Sequence, residues 1–112
     1  MPHYMMQFGY TPESWAAQLK HPEARIETVG KQACEAAGGK LISGWYCFGE
    51  YDAVIIAEMP DNESMSAVSL AITAGGAIKS ARTTALMTGA QGVGGMKKAD
   101  AVAKVYKPAR YV

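Results

Sequence analysis

The stretch KLISGWYCFGEYDAVIIAEM, residues 40–59, decides the fold. It contains two strand-like runs, 40–48 and 51–59, separated only by Gly49-Glu50, the length and composition of a tight hairpin turn. Two such runs pair as antiparallel neighbours. Neither run alternates apolar and polar residues, as a strand with one wet face does. In the second, Tyr51, Ala53, Ile55, Ala57 and Met59 share one parity and Asp52, Val54, Ile56 and Glu58 the other, so its middle is apolar on both faces. In the first, Leu41, Trp45 and Cys47 share one parity and Ile42, Tyr46 and Phe48 the other.

Upstream of the hairpin, residues 3–10 set Tyr4, Met6, Phe8 and Tyr10 against His3, Met5, Gln7 and Gly9, the period of a strand with two unlike faces. Thr11-Pro12-Glu13-Ser14 then supplies an N-cap, a proline at the first helical position and an acid near the positive end of the helix dipole. Pro22 interrupts the helical region, giving a short piece through Leu19 and a longer helix over residues 22–37. Ile26, Val29, Ala33 and Ala36 form its apolar stripe, and Gly38-Gly39 ends it.

Downstream, Pro60-Asp61-Asn62-Glu63 is a helix start, Met65, Val68 and Ile72 form the stripe, and Gly75-Gly76 is the stop. Residues 77–87, containing Arg82-Thr83-Thr84, read as a fourth strand. After Thr88 the composition shifts: Gly89, Gly92, Gly94 and Gly95 predict a flexible linker, followed by a short basic helix around residues 97–106 and a Pro108 tail. The chain therefore divides into a domain over residues 1–88 and a glycine linker with C-terminal helix and tail over 89–112. Its order is β-α-β-β-α-β plus a C-terminal helix, an α+β ferredoxin-like pattern with an antiparallel four-stranded sheet and both long helices on one side.

Such a sheet leaves its other face to water unless something covers it. At about 25 cal/mol per Å² of apolar surface, several wet side chains on the middle strands forgo a few kcal/mol, a large share of a small domain's stability. The simplest cover is a second copy packed sheet to sheet under two-fold symmetry, a dimeric α/β barrel. The competing arrangement is a monomer whose C-terminal helix folds back over its own sheet.

Composition narrows the function classes. A chain of 112 residues, 49% apolar and 19% charged, has room for one core, and its net charge of +1 provides no footprint for nucleic acid or anionic lipid. The first ten residues lack the basic and long apolar segments of an export signal, no apolar run is long enough to span a bilayer, and the cytoplasm is the expected location. Cys34 and Cys47 form no CxxC or Cys/His cluster, so they read as two buried free thiols rather than ligands or a redox pair. Asn62-Glu63-Ser64 matches the glycosylation sequon, a chance match if the chain stays in the cytoplasm as expected.

Several quoted segments together resemble one family: Met1-Pro2-His3-Tyr4, Tyr10-Thr11-Pro12-Glu13, Gly38-Gly39-Lys40-Leu41, Phe48-Gly49-Glu50-Tyr51-Asp52, Glu58-Met59-Pro60-Asp61 and Gly75-Gly76-Ala77-Ile78. The chain resembles the GYD-domain family of small bacterial proteins from about its first strand to its fourth, with Gly49 to Asp52 the most specific element. The resemblance implies a ferredoxin-like fold akin to the dimeric α/β barrel proteins. It implies no particular activity.

Candidate site residues come from the polar positions of the strands. Glu58, inside a closed barrel, could act as a desolvated base or form an ion pair with Arg82 at the rim. Asp52 is a candidate contact, or a turn residue bonded to local backbone amides. His3 and Gln7 share a parity and are expected to line a pocket with Tyr46, where His3 could shuttle protons; a solvated terminal histidine is the plainer reading. His21, beside Pro22, reads as exposed.

Other motifs carry less. Pro2 could serve as a base only with its amine freed by removal of Met1. Gly92-Val93-Gly94-Gly95 matches neither nucleotide-loop spacing. The seven methionines are scattered and read as adaptable core filler rather than as metal or haem ligands. No cofactor or metal is expected. Two functional readings follow: a homodimer or higher homo-oligomer binding a small, mostly apolar molecule through His3, Gln7, Tyr46, Asp52, Glu58 and Arg82, or a structural or regulatory assembly unit with a filled interface and no enzymatic activity.

Overall fold

The computed structural model describes residues 1–110. Strand β1, His3–Tyr10, leads into helix α1, Pro12–Lys20, where the Thr11 hydroxyl accepts the Ser14 amide at 3.1 Å and Pro12 opens the first turn. A π-helical turn, Ile26–Gly30, runs directly into α2, Lys31–Ala36. The hairpin strands are β2, Lys40–Tyr46, and β3, Ala53–Glu58. Helix α3, Asn62–Ala74, is capped by Asp61, whose Oδ1 accepts the Ser64 amide at 2.8 Å. Strand β4, Ile78–Leu86, and helix α4, Gly89–Val105, complete the described chain.

The four strands form one antiparallel sheet in the order β2-β3-β1-β4, the arrangement expected of a ferredoxin-like α+β domain. Its core lies between one sheet face and the helices. Tyr4, Met6, Phe8 and Tyr10 of β1 interleave there with Ala53, Ile55 and Ala57 of β3, and Ile26, Cys34, Met65 and Val68 close over them. The Tyr4 hydroxyl donates to Asn62 Oδ1, fastening the start of α3 to the sheet.

The helical region after Pro22 departs from expectation. Residues 22–24 are not helical, because His21 offers no side-chain oxygen to cap a start at Pro22, and the helix begins only near Ile26. The π-turn then inserts one extra residue. The buried positions become Ile26 and Cys34, with Gly30, Ala33 and Ala37 half-buried, while Val29 and Ala36 are exposed. Ile26 reaches β2 at Gly44, where any β-carbon would collide with the Ile26 side chain. Only glycine fits there. Gly39 is equally constrained, backing onto the Glu58 carbonyl and the Met59 side chain.

The hairpin also differs. Cys47 donates its amide to the Asp52 carbonyl at 2.8 Å, closing a four-residue loop over residues 48–51 in place of a two-residue turn. A β-bulge in β2 skips Ile42: Leu41 pairs with Ala57, but Ser43 pairs with Ile56 and Trp45 with Val54. Leu41 and Trp45 therefore lie on opposite faces, contrary to their shared parity, because a bulge adds one residue and flips all that follow.

The glycines expected to form a linker lie inside α4. Thr88 and Gln91 form a capping box at its start, with the Gln91 amide on the Thr88 hydroxyl at 3.1 Å and the Thr88 amide on Gln91 Oε1 at 2.9 Å. Helix α4 buries none of its residues, so it does not fold back over the sheet. It projects instead: the radius of gyration is 18.0 Å, against about 13 Å for a compact chain of this size. The end of the expected tail, residues 111–112, falls outside the described residues.

Candidate functional site

Register places the side chains of the open face in rows running across β2, β3, β1 and β4. Lys40, Glu58, His3 and Leu86 form the first row. Ser43, Ile56, Met5 and Thr84 form the second, and Trp45, Val54, Gln7 and Arg82 the third. The face therefore has an apolar centre, Met5, Ile56 and Val54, flanked by two polar clusters about four residues apart along β1, roughly 14 Å.

In the first cluster His3 Nε2 stands 3.7 Å from Glu58 Oε1, both partly exposed. An imidazole beside a carboxylate can hold or pass a proton at that end of the face. In the second, Gln7 lies directly opposite Arg82 on the neighbouring strand and supplies amide donors and acceptors beside a fixed positive charge. The sheet thus places His3, Gln7, Glu58 and Arg82 on one face, as two separate pairs. It does not pair Glu58 with Arg82, because antiparallel register sets Glu58 opposite His3 and Arg82 opposite Gln7.

Tyr46 and Asp52 stand elsewhere. Tyr46 pairs with Ala53, on the helix-covered side of the sheet, where it approaches Tyr10 rather than His3. The Asp52 carboxylate is a clasp: Oδ2 accepts the Tyr10 amide at 2.9 Å and the Trp15 indole N–H at 3.2 Å. Its own amide donates to the Phe8 carbonyl at 3.0 Å. The local backbone bonds expected of a turn residue are replaced by bonds to β1 and α1. Through Oδ2 this carboxylate ties the hairpin loop to the first strand and the first helix.

Shifted proton affinities are found at Tyr10, Cys34 and Asp61. Burial, followed by Tyr46, raises the Tyr10 phenol above its ordinary value, with Arg25 opposing and Asp52 adding to the rise. Burial, then Glu35, raises the Cys34 thiol, whereas Cys47, expected to be buried as well, is exposed because β2 ends at Tyr46 and Cys47 opens the hairpin loop. Hydrogen bonds from Ser64 lower the Asp61 carboxyl, as suits an N-cap. Among the described residues no three His, Cys, Asp or Glu side chains gather closely enough to hold a metal ion. No described helix is long and apolar enough to cross a membrane.

The sequence reading missed Trp45, Ser43 and Thr84 as members of the open face. Trp45 is 65% exposed, a large aromatic surface beside Val54. The signal was present in Ser43-Gly44, since a glycine inside a strand often marks a bulge or a close approach, and here both occur.

This architecture defines a ferredoxin-like α+β domain with one uncovered sheet face. The chain belongs to the GYD domain family, whose model matches residues 4–99 and so extends into α4. The structure is similar to the crystal structure of MtbAldR, with a TM-score of 0.59 at 10% identity, covering 78% of this chain and 53% of that one. The chain spans about half the length of MtbAldR. It is also similar to FFRP-DM1, with a TM-score of 0.49 at 14% identity, covering 78% of this chain and 100% of that one. At 10% identity the likeness to MtbAldR concerns the fold alone. No curated protein matches the sequence.

Proposed function

We propose that the protein is a homodimeric binding module whose two open sheet faces pack together into an α/β barrel around a small, mostly apolar molecule. The observation that carries this reading is the apolar centre Met5, Ile56 and Val54, left half-buried with no helix over it and bracketed by His3 with Glu58 and by Gln7 with Arg82. Covering that centre removes apolar surface from water, and the polar pairs at either end supply the few directional contacts that orient a ligand. Two cysteines without a disulfide are in keeping with a cytoplasmic setting.

The test is native mass spectrometry of protein purified from its own host, together with the Ile56→Lys variant. A dimer carrying a co-purifying small molecule is expected, with both the dimer and the molecule lost in the variant. A monomer at the highest soluble concentration would sink the barrel.

A second reading, an assembly unit with a filled interface, draws support from α4. Its four glycines each disfavour the helix by about 1 kcal/mol relative to alanine, and helices gain most of their stability from packing. Yet Val93, Met96, Val102, Val105 and Tyr106 are all exposed. A dimer without any bound molecule favours this reading.

A further inference from the structure

The helix layer encloses a second concavity, independent of the open sheet face. Between the π-helical turn and α3 lies a cleft of about 370 Å³, walled chiefly by Phe8, Ile26, Ile55, Ile72 and Ile78. This volume lies within the range of small-molecule sites, roughly 300–1,000 Å³. Arg25 is the single charged side chain in its lining. An adjoining recess of about 540 Å³ shares Tyr10, Arg25, Gly75 and Ala77 with it and continues toward Glu13, His21 and Glu23. One groove therefore runs from an apolar floor to a polar mouth, with Tyr10 and Arg25 at the junction.

Those two side chains are poised for an acceptor. Tyr10 is only 7% exposed, its ring held edge-on between Phe8 and Trp15, while its hydroxyl has no described protein partner and reaches solvent at the groove. The Arg25 guanidinium lies near enough to oppose the upward shift that burial imposes on that phenol. Arg25 has one described carboxylate partner, Glu23 at 3.4 Å, and both side chains of this pair are exposed. Such surface pairs are weak and yield readily to a better-placed anion. The wall that carries Ile26 and Val29 is the π-turn itself, a widened helical turn of a kind that recurs at functional sites.

We propose that this cleft binds an amphipathic carboxylate, with its aliphatic or aromatic body among Ile26, Ile55, Ile72 and Ile78 and its carboxylate on the Arg25 guanidinium and the Tyr10 hydroxyl. The charge on Arg25 selects an anion over the neutral molecule of the same shape. The apolar floor selects a chain or ring over a small hydrophilic acid.

Octanoate and octanol, titrated separately and followed by amide-resolved NMR, test the assignment. Octanoate is expected to shift Ile26, Val29, Gly30 and Ile72 saturably and to bind about tenfold more tightly than octanol. Arg25→Gln, at a partly exposed position that leaves the core intact, is expected to remove that advantage and leave octanol binding unchanged. Ile72→Trp, with its spectral dispersion preserved, is expected to block both. Absence of saturable shifts, shifts confined to Met5, Val54 and Ile56, or unchanged octanoate affinity in Arg25→Gln would each overturn the proposal. The second of these outcomes would place binding on the open sheet face, so the two sites fail separately.

Discussion

Ile55 and Ile56 are adjacent, identical in chemistry and part of the same strand, yet Ile55 is 2% exposed beneath the helices while Ile56 sits half-buried on the open face. The same contrast runs through β1, where Tyr4, Met6 and Phe8 are buried and His3, Met5 and Gln7 are not. Apolar content on both parities of a strand therefore does not mean that both faces are packed. It marks one face as core and the other as a surface that gains free energy when something covers it.

The largest expected effect divides these two faces. Ile55→Ala should lower unfolding free energy by about 3 kcal/mol, the loss of a core side chain together with the cavity it leaves. Ile56→Ala should cost about 1 kcal/mol or less if the face stays wet. A loss for Ile56→Ala matching that for Ile55→Ala, and growing with protein concentration in urea titrations, would show that a second copy makes both faces core. Equal and concentration-independent losses would break the comparison.

Asp52 gives the next effect. Asp52→Ala strands the Tyr10 amide and the Trp15 indole N–H and should destabilise the fold by about 2 kcal/mol, with Asp52→Asn retaining part because its amide oxygen still accepts. Unchanged urea midpoints in Asp52→Ala, together with a loss of ligand binding, would instead return Asp52 to the binding site.

The smallest effect is pH dependence. Burial raises Cys34 above its ordinary 9.0 and Tyr10 above its ordinary 10.0. With folded values raised, the unfolded chain releases these protons first, so the stability they contribute is present below pH 9.0 and declines as pH rises through the folded values. Urea midpoints should fall from just above pH 9.0 in the wild type, whereas Cys34→Ala should hold until about pH 10.0, where Tyr10 begins to titrate. A flat profile in the wild type would mean that water reaches the helix-covered face.

Much of this was legible in the residues. The β-α-β-β-α-β order, the caps at Thr11 and Asp61, the break after α1 and the α3 stripe Met65, Val68 and Ile72 all appear as expected. Each depends on residues a few positions apart, and backbone dihedrals and neighbouring side chains settle such choices locally. The continuous α4 was misread because four glycines outweighed the capping box at Thr88 and Gln91, itself a local signal.

Of the candidate site, His3, Gln7, Glu58 and Arg82 do share one face, because period-two alternation fixes faces within an unbroken strand. What the amino-acid order could not supply was pairing at a distance. The β2 bulge that separates Leu41 from Trp45 exists only against β3, the π-turn seats Ile26 at Gly44, and Asp52 finds partners 42 and 37 residues away. Those choices arise when distant segments compete for the same space and the same hydrogen bonds, and only the assembled chain contains that competition.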